Sequence, residues 1–464
     1  MTGASEDLAR ENAALRDELR ALQARYDALE ASTSEKIQSL TDENEILADA
    51  NQLLMENEET FKRLNGGRLG SDGAASASVM QVPDELLLPG PGLKTQEVAT
   101  VEEVHAFGNL LSVAAHSTRP ELALTGGVDK SICLHDWQQH LKLCGFAAGA
   151  PVLSLVFNPR PELADYFVAG FMDATHGLYK LAVDGNGSWS IEEVARFHDH
   201  TRHGTLRAVW SATGLLFATG SSDKSLNMYR CSFDAAEGDK MQCEKLKTFY
   251  FNGTVEAIAF APRPGGSQTD GVETTETARA EVSELLAIAV RDDCYVHYVD
   301  CSTLEKERVN MNQDGIEHVS YTIMDLRLSP SGKYLLAATD SSRHFVFEVE
   351  ASRHLFVGDD SLIEWLALQV KSNVVLRSFY GHKAGPYSQP RALWNPSEKY
   401  VVSNTEDDGS IFVWSVASEQ VVETIAAHDA LVRDLAGSGN ASGPQTLLTV
   451  SYDKRLKIWH SSLA

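Results

Sequence analysis

Apolar and polar residues alternate along Val450-Ser451-Tyr452-Asp453-Lys454-Arg455-Leu456-Lys457-Ile458-Trp459. This pattern predicts a strand, a tight turn at Asp453 and a second strand with Leu456 and Ile458 on one face. Aspartate suits the turn because its carboxylate accepts nearby backbone N–H groups. Trp459, six residues on, can fill the space between packed sheets, and its one N–H needs a partner. The same spacing joins Asp408 to Trp414, Asp223 to Tyr229, Asp173 to Tyr179, Asp292 to Tyr298 and Asp129 to His135. Lys333 to Val349 keeps the strand–turn–strand shape around Asp340. The N-terminal pattern differs. Residues 6–64 contain neither Pro nor Gly, and Leu8, Leu15, Leu22 and Leu29 stand seven apart with Leu19 and Tyr26 between them. That is the seam of a coiled coil. After a four-residue slip, a stutter, it resumes with Ile37, Asn44 and Asn51 and with Leu40, Leu47, Leu54 and Phe61. So narrow a stripe does not fit a helix lying on a globular core. It predicts a parallel dimer, a rod roughly 90 Å long at ~1.5 Å per residue.

Strand units repeating at this interval are the signature of a β-propeller. With its turn aspartates and following aromatics, the chain from about residue 95 resembles the WD40-repeat family. The resemblance implies an all-β, seven-bladed WD40 propeller over 96–464; the heptads place an N-terminal α-helical coiled coil (1–64) before it, and the Gly/Ser/Ala-rich stretch between them reads as a flexible linker (65–95). The repeats run to about Trp137, then Leu141–Leu181, Ile191–Ser232, Glu244–Asp300, Lys306–Val349, Val375–Val416 and Gln420–His460. A Gly/Thr/Glu-rich stretch near 262–282 reads as a disordered insert, and 351–371 as an amphipathic decoration on the rim. The last repeat ends after three strands, which leaves an unpaired sheet edge. Gln96–Val101 is placed to supply the fourth strand and close the ring. Within the linker, Val82-Pro83-Asp84-Glu85-Leu86-Leu87-Leu88-Pro89 is apolar enough to dock, on its own propeller or on a partner.

Charge narrows the partners. The chain carries −25, which disfavours nucleic acid and anionic membrane and favours basic partners. Residues 1–60 hold 15 acidic and 5 basic side chains, a balance of 5 − 15 = −10. That excess weakens self-pairing, so a basic partner helix is the alternative to a homodimer. No stretch has the apolar length of a membrane span, and the acidic N-terminus lacks a secretory signal. Six cysteines without a C-x-x-C pair read as inert thiols, with no metal site, in the cytoplasm or nucleus.

Blade seven offers His428, Thr449, Asp453 and Trp459; blade six offers His382, Ser403, Asp408 and Trp414. The resemblance implies structural hydrogen-bond chains running Asp to His to hydroxyl to indole rather than catalytic groups. No Walker loop, H-E-x-x-H or nucleophile elbow is present. The reading is therefore no catalytic residue, no cofactor and no enzyme, with an enzyme whose site lies in the channel as the alternative. Aligning the inner strands places Leu111, Leu153, Arg207, Glu256, Met324, Arg391 and Arg433 around one mouth of the channel. Arg391 and Arg433 could then fork one carboxylate or phosphate. Leu111, Leu153 and Met324 would form an apolar wall, and Tyr387 a cover. If so, the top face docks an acidic or phosphorylated peptide; otherwise the arginines pair with Glu256, Asp325 or Asp434. The chain is expected to be a scaffold that oligomerises through its arm and docks proteins on its propeller. The layout is also similar to G-protein beta subunits, whose helix pairs with a partner helix.

Overall fold

A computed structural model of the chain describes residues 82–202, 204–234, 240–262, 284–312, 316–349, 373–385, 388–406, 408–438 and 445–463. It also describes five helical positions, Arg16, Leu19, Arg20, Gln23 and Arg25. The rest of the coiled-coil reading, most of the 262–282 insert, the 351–371 decoration and Tyr387 lie outside the described residues. Residues 1–80 and 81–464 form two compact units.

The described strands make seven four-stranded antiparallel sheets. From inner to outer strand, blade one is Leu110–Ala115, Leu122–Gly127, Ser131–Asp136 and Leu141–Ala147. Blade two is Val152–Phe157, Tyr166–Phe171, His176–Val183 and Trp189–Phe197. Blade three is Thr205–Trp210, Leu216–Ser221, Ser225–Asp234 and Lys240–Tyr250. Blade four is Val255–Pro262, Glu284–Val290, Tyr295–Asp300 and Lys306–Asn310. Blade five is Ile323–Leu328, Tyr334–Thr339, His344–Glu348 and Val375–Phe379. Blade six is Ala392–Trp394, Tyr400–Asn404, Ser410–Ser415 and Val421–Ala426. Blade seven takes Val432–Ser438, Gln445–Ser451 and Leu456–Leu463 from the C-terminus. Its outermost strand is Leu93–Val101, antiparallel to the last, with Leu93 opposite Leu463 and Val101 opposite Leu456. The two ends of the ring are thus joined by main-chain bonds, and the edge is covered.

The sequence repeats are offset from the sheets. Each starts on the outer strand of one blade and ends on the third strand of the next, so every repeat ties two blades together. Seven apolar clusters fill the seven junctions. The turn aspartates act as expected of an acceptor: Asp129, Asp173, Asp223, Asp408 and Asp453 each take the N–H two residues on. In blade four that role falls to Asp293 rather than Asp292, which itself has φ 57. After the other turn aspartates the chain enters the left-handed region at Lys130, Ala174, Lys224, Gly409 and Lys454, and only blade six places a glycine there.

Cys231 and Cys243 stand directly opposite on the two outer strands of blade three and form a disulfide, Cα–Cα 4.2 Å. This corrects the inert-thiol reading for that pair. The cause is register: twelve residues of hairpin bring them face to face.

Candidate functional site

The candidate site is built on a kink. Six inner strands carry a one-residue bulge after their first residue, seen as register shifts at Leu110/Ser112, Val152/Ser154, Thr205/Arg207, Val255/Ala257, Ile323/Asp325 and Val432/Asp434. The bulge residues are therefore Leu111, Leu153, Leu206, Glu256, Met324 and Arg433. In blade six, Ala392 pairs with Ser403 as Leu435 pairs with Thr449, so Arg391 corresponds to Asp434 and Pro390 to Arg433. Arg207 and Arg391 consequently sit one position beyond the bulge. They share a ring with Ser112, Ser154, Ala257, Asp325 and Asp434.

That ring locks neighbouring blades. Ser154 Oγ accepts the Ala208 N–H at 3.1 Å, Asp325 Oδ2 the Ala392 N–H at 3.3 Å and Asp434 Oδ2 the Val113 N–H at 3.0 Å. Arg207 and Arg391 do not join Arg433 at one mouth, as the sequence alignment placed them. Each stands one position past the place that Arg433 takes on its own strand, and such a one-residue offset leaves no mark in the apolar pattern.

Arg391 is 2% exposed. Its Nη1 donates to Pro390 O at 3.1 Å, its Nη2 to Gln389 Oε1 at 3.4 Å, and its Nε lies 3.5 Å from Asp434. Arg207 Nη2 crosses from blade three to the Met324 carbonyl, 3.1 Å. Met324 is fully buried and supplies that carbonyl rather than an exposed apolar wall. Two arginines outside the sequence reading engage the other acids. Arg291 Nε meets Glu256 at 2.6 Å, and Arg327 Nε meets Asp325 at 3.2 Å. Four guanidinium groups (Arg207, Arg291, Arg327, Arg391) thus gather around three carboxylates (Glu256, Asp325, Asp434), 4 − 3 = +1. Burial, then the like charges of Arg207 and Arg433, push the Arg391 guanidinium well below its ordinary range. Burial opposes ionisation of Asp325, but Arg327, Arg207 and Arg391 outweigh it and hold the carboxyl low.

The channel is a cavity of about 660 Å³, lined by Leu153, Ser154, Arg207, Asp325, Arg391 and Asp434 among others. Arg433 opens instead onto a pocket of about 150 Å³ between blades six and seven, with Lys383, Gln389, Glu406 and Tyr452. Arg433 Nη1 is buried there without a hydrogen-bond partner.

In blade seven the four polar residues form one chain. His428 Nδ1–H faces Asp453 Oδ2 at 2.8 Å, Thr449 meets His428 Nε2 at 2.7 Å, and Trp459 Nε1–H donates to Thr449 Oγ1 at 3.1 Å. In blade six the chain is broken. His344, from blade five, reaches the Ser403 hydroxyl at 2.9 Å and stacks on His382 with ring centroids 4.0 Å apart. Trp414 donates to the Tyr380 carbonyl at 2.7 Å, Asp408 takes the Ser410 N–H, and both His382 nitrogens are buried without partners. The sequence reading missed two further sets. His105 binds Asp129 and Thr125 in blade one, with His135 where Trp459 stands in blade seven. His200 binds Asp223, Ser225 and Thr219 in blade three. Their signal was a histidine 23 to 25 residues ahead of each turn aspartate, as in blade seven.

Among the described residues, no group of three or more His, Cys, Asp or Glu side chains is arranged to hold a metal ion. No described helix is long and apolar enough to cross a membrane. The sequence profile of the WD domain, G-beta repeat matches residues 191–230, 373–415 and 419–460. Each match runs from an outer strand through the first three strands of the next blade. A stretch of 65 residues, 14% of the chain, is 40% identical to the periodic tryptophan protein 2 homolog of Schizosaccharomyces pombe, of which it covers 7%. The chain therefore matches only a small part of that relative's length.

Proposed function

This chain belongs to the WD40-repeat family, and we propose that it is a non-enzymatic scaffold docking an acidic segment of a partner protein on the top face, beside blades six and seven. The top face is the one bearing the crossings between blades and the Asp turns. The observation that carries the reading is Arg433. Its buried Nη1 has no partner, while its strand neighbour Asp434 is engaged by Val113 and Arg391. A buried unpaired cationic donor is costly, and an incoming carboxylate or phosphoryl oxygen relieves that cost. The histidine–aspartate sets support the same reading, because in blades one, three and seven these groups bond one another. The channel arginines rigidify the platform, and Arg433 meets the partner.

The arm supplies valency. Pairing of residues 6–64, with a second copy or with a basic helix, would present propellers together and raise avidity. The charge of −10 over residues 1–60 favours the basic helix. Light scattering on the full chain separates the two: a dimer mass supports self-pairing, and a monomer mass leaves the partner helix. The docking reading is tested by selecting acidic peptides on the full chain and repeating the selection on Arg433→Ala. Loss of enrichment supports it; the same peptides at the same yield refute it.

A further inference from the structure

A second docking surface lies on the opposite face, which bears the hairpins between first and second strands. There Val82–Leu88 crosses the junction of blades five and six. Asp84–Leu87 is a single helical turn, too short to persist alone. Its backbone bonds run within itself, Leu86 N–H to Pro83 and Leu88 N–H to Asp84. Leu86, 2% exposed, anchors it among Tyr334, Leu336, Leu376, Trp394 and Trp414, and Val82 packs against the same cluster.

The polar contacts are those of a receptor reading a peptide. Lys333 Nζ reaches both Glu85 oxygens at 3.1 Å, and the Tyr334 hydroxyl donates to the same carboxylate. Lys399 Nζ donates to the Glu85 carbonyl at 2.6 Å and Arg377 Nη2 to the Leu86 carbonyl at 3.4 Å. Every donor belongs to blade five or six. The other six junction clusters are built from blade strands and the loops joining them, so a junction does not need an added segment to be filled. Leu87 and Leu88 face outward, 46% and 58% exposed.

We propose that the groove between blades five and six is a docking site for a helical turn bearing an acidic residue followed by leucine, and that Val82–Leu88 is its resident occupant, exchangeable for the same turn on a partner protein. The chemistry selects the occupant. Lys333, Lys399 and Arg377 surround one apolar hole, a basic rim on a chain of charge −25. Only Pro89–Gly92 separates the segment from the closing strand, so its local concentration is on the order of mM or higher. A partner bound elsewhere on the same chain gains a comparable local concentration, which makes exchange competitive.

The test uses a fluorescein-labelled peptide of residues 82–89 and the full chain carrying Glu85→Lys and Leu86→Asp, which empties the groove. The emptied chain should bind the peptide with Kd on the order of 10 µM. The intact chain should bind about 10-fold more weakly or worse, because its groove is filled. Adding Lys333→Ala to the emptied chain should weaken binding about 10-fold, and the Leu86→Asp peptide should not bind. A folded, emptied chain that ignores the peptide overturns the proposal, as does equal binding by both chains. If the emptied chain fails to fold, the intact chain decides: excess peptide must speed hydrogen exchange at the Leu86 and Leu88 amides, and unchanged exchange overturns the proposal. None of these readouts involves Arg433, so the two docking surfaces stand or fall separately.

Discussion

Mild acid should loosen the junction of blades five and six. His382 is 3% exposed, has no partner on either nitrogen and is pushed by burial from the ordinary 6.5 down to about 4. A depressed imidazole means that the unfolded chain takes the proton first. Its contribution to stability is complete above pH 6.5 and is lost as pH falls toward 4. At pH 5 the loss from this one ring is about 2 kcal/mol. Its stacking partner His344 is also held well below the ordinary value, by burial and then by His382, so the pair accepts a first proton only at cost. His382→Phe keeps an aromatic ring against Trp414 and removes the titration. The assay is urea unfolding of both proteins at pH 7 and pH 5. The readout is the change between the two pH values, so any packing cost of the larger ring cancels. Wild type should lose about 2 kcal/mol more than the variant over that interval. His176, pushed down to about 3, and His116, to about 4, contribute equally to both proteins. Identical pH dependence in the two would refute the reasoning.

Asp453→Ala strands the buried His428 Nδ1–H and should cost about 2–3 kcal/mol. A double-mutant cycle with Thr449→Val should show coupling of about 1 kcal/mol, since both bond the same ring, and additive losses would deny the chain. Lys454 sits at φ 70, so Lys454→Gly should raise stability by about 1 kcal/mol in the same urea assay, and a loss would contradict the strain. Val101→Asp puts a charge into the junction of blades seven and one, where Val101 is 7% exposed. It should cost at least ~3 kcal/mol and open the ring to self-association, seen as higher mass in light scattering.

The fold was legible because its signals are local and repeated. An aspartate with an aromatic six residues on recurs at the turn before the third strand in blades one, two, three, six and seven. An unpaired final edge demanded the N-terminal strand. What was not legible depends on register or on neighbours distant in sequence. Arg207 and Arg433 occupy similar sequence contexts, yet a one-residue offset sends one into the channel and the other into a pocket between blades. The blade six set looked complete, but His344 comes from another blade and claims Ser403. The sets of blades one and three were hidden because His135 and Tyr229 stand where tryptophan was sought. Val82–Leu88 was legible as a segment that docks; the choice of its own propeller is made by Lys333, Lys399 and Arg377, which lie about 250 to 310 residues away.

The central claim is that the top face holds an acidic segment through Arg433. Its most direct test is the Kd of a selected acidic peptide for the full chain, measured by fluorescence anisotropy beside Arg433→Ala. Loss of a charge-assisted pair of about 1.5–3 kcal/mol predicts roughly 10- to 100-fold weaker binding in the variant, with the melting profile unchanged. The same Kd in both proteins would contradict the account.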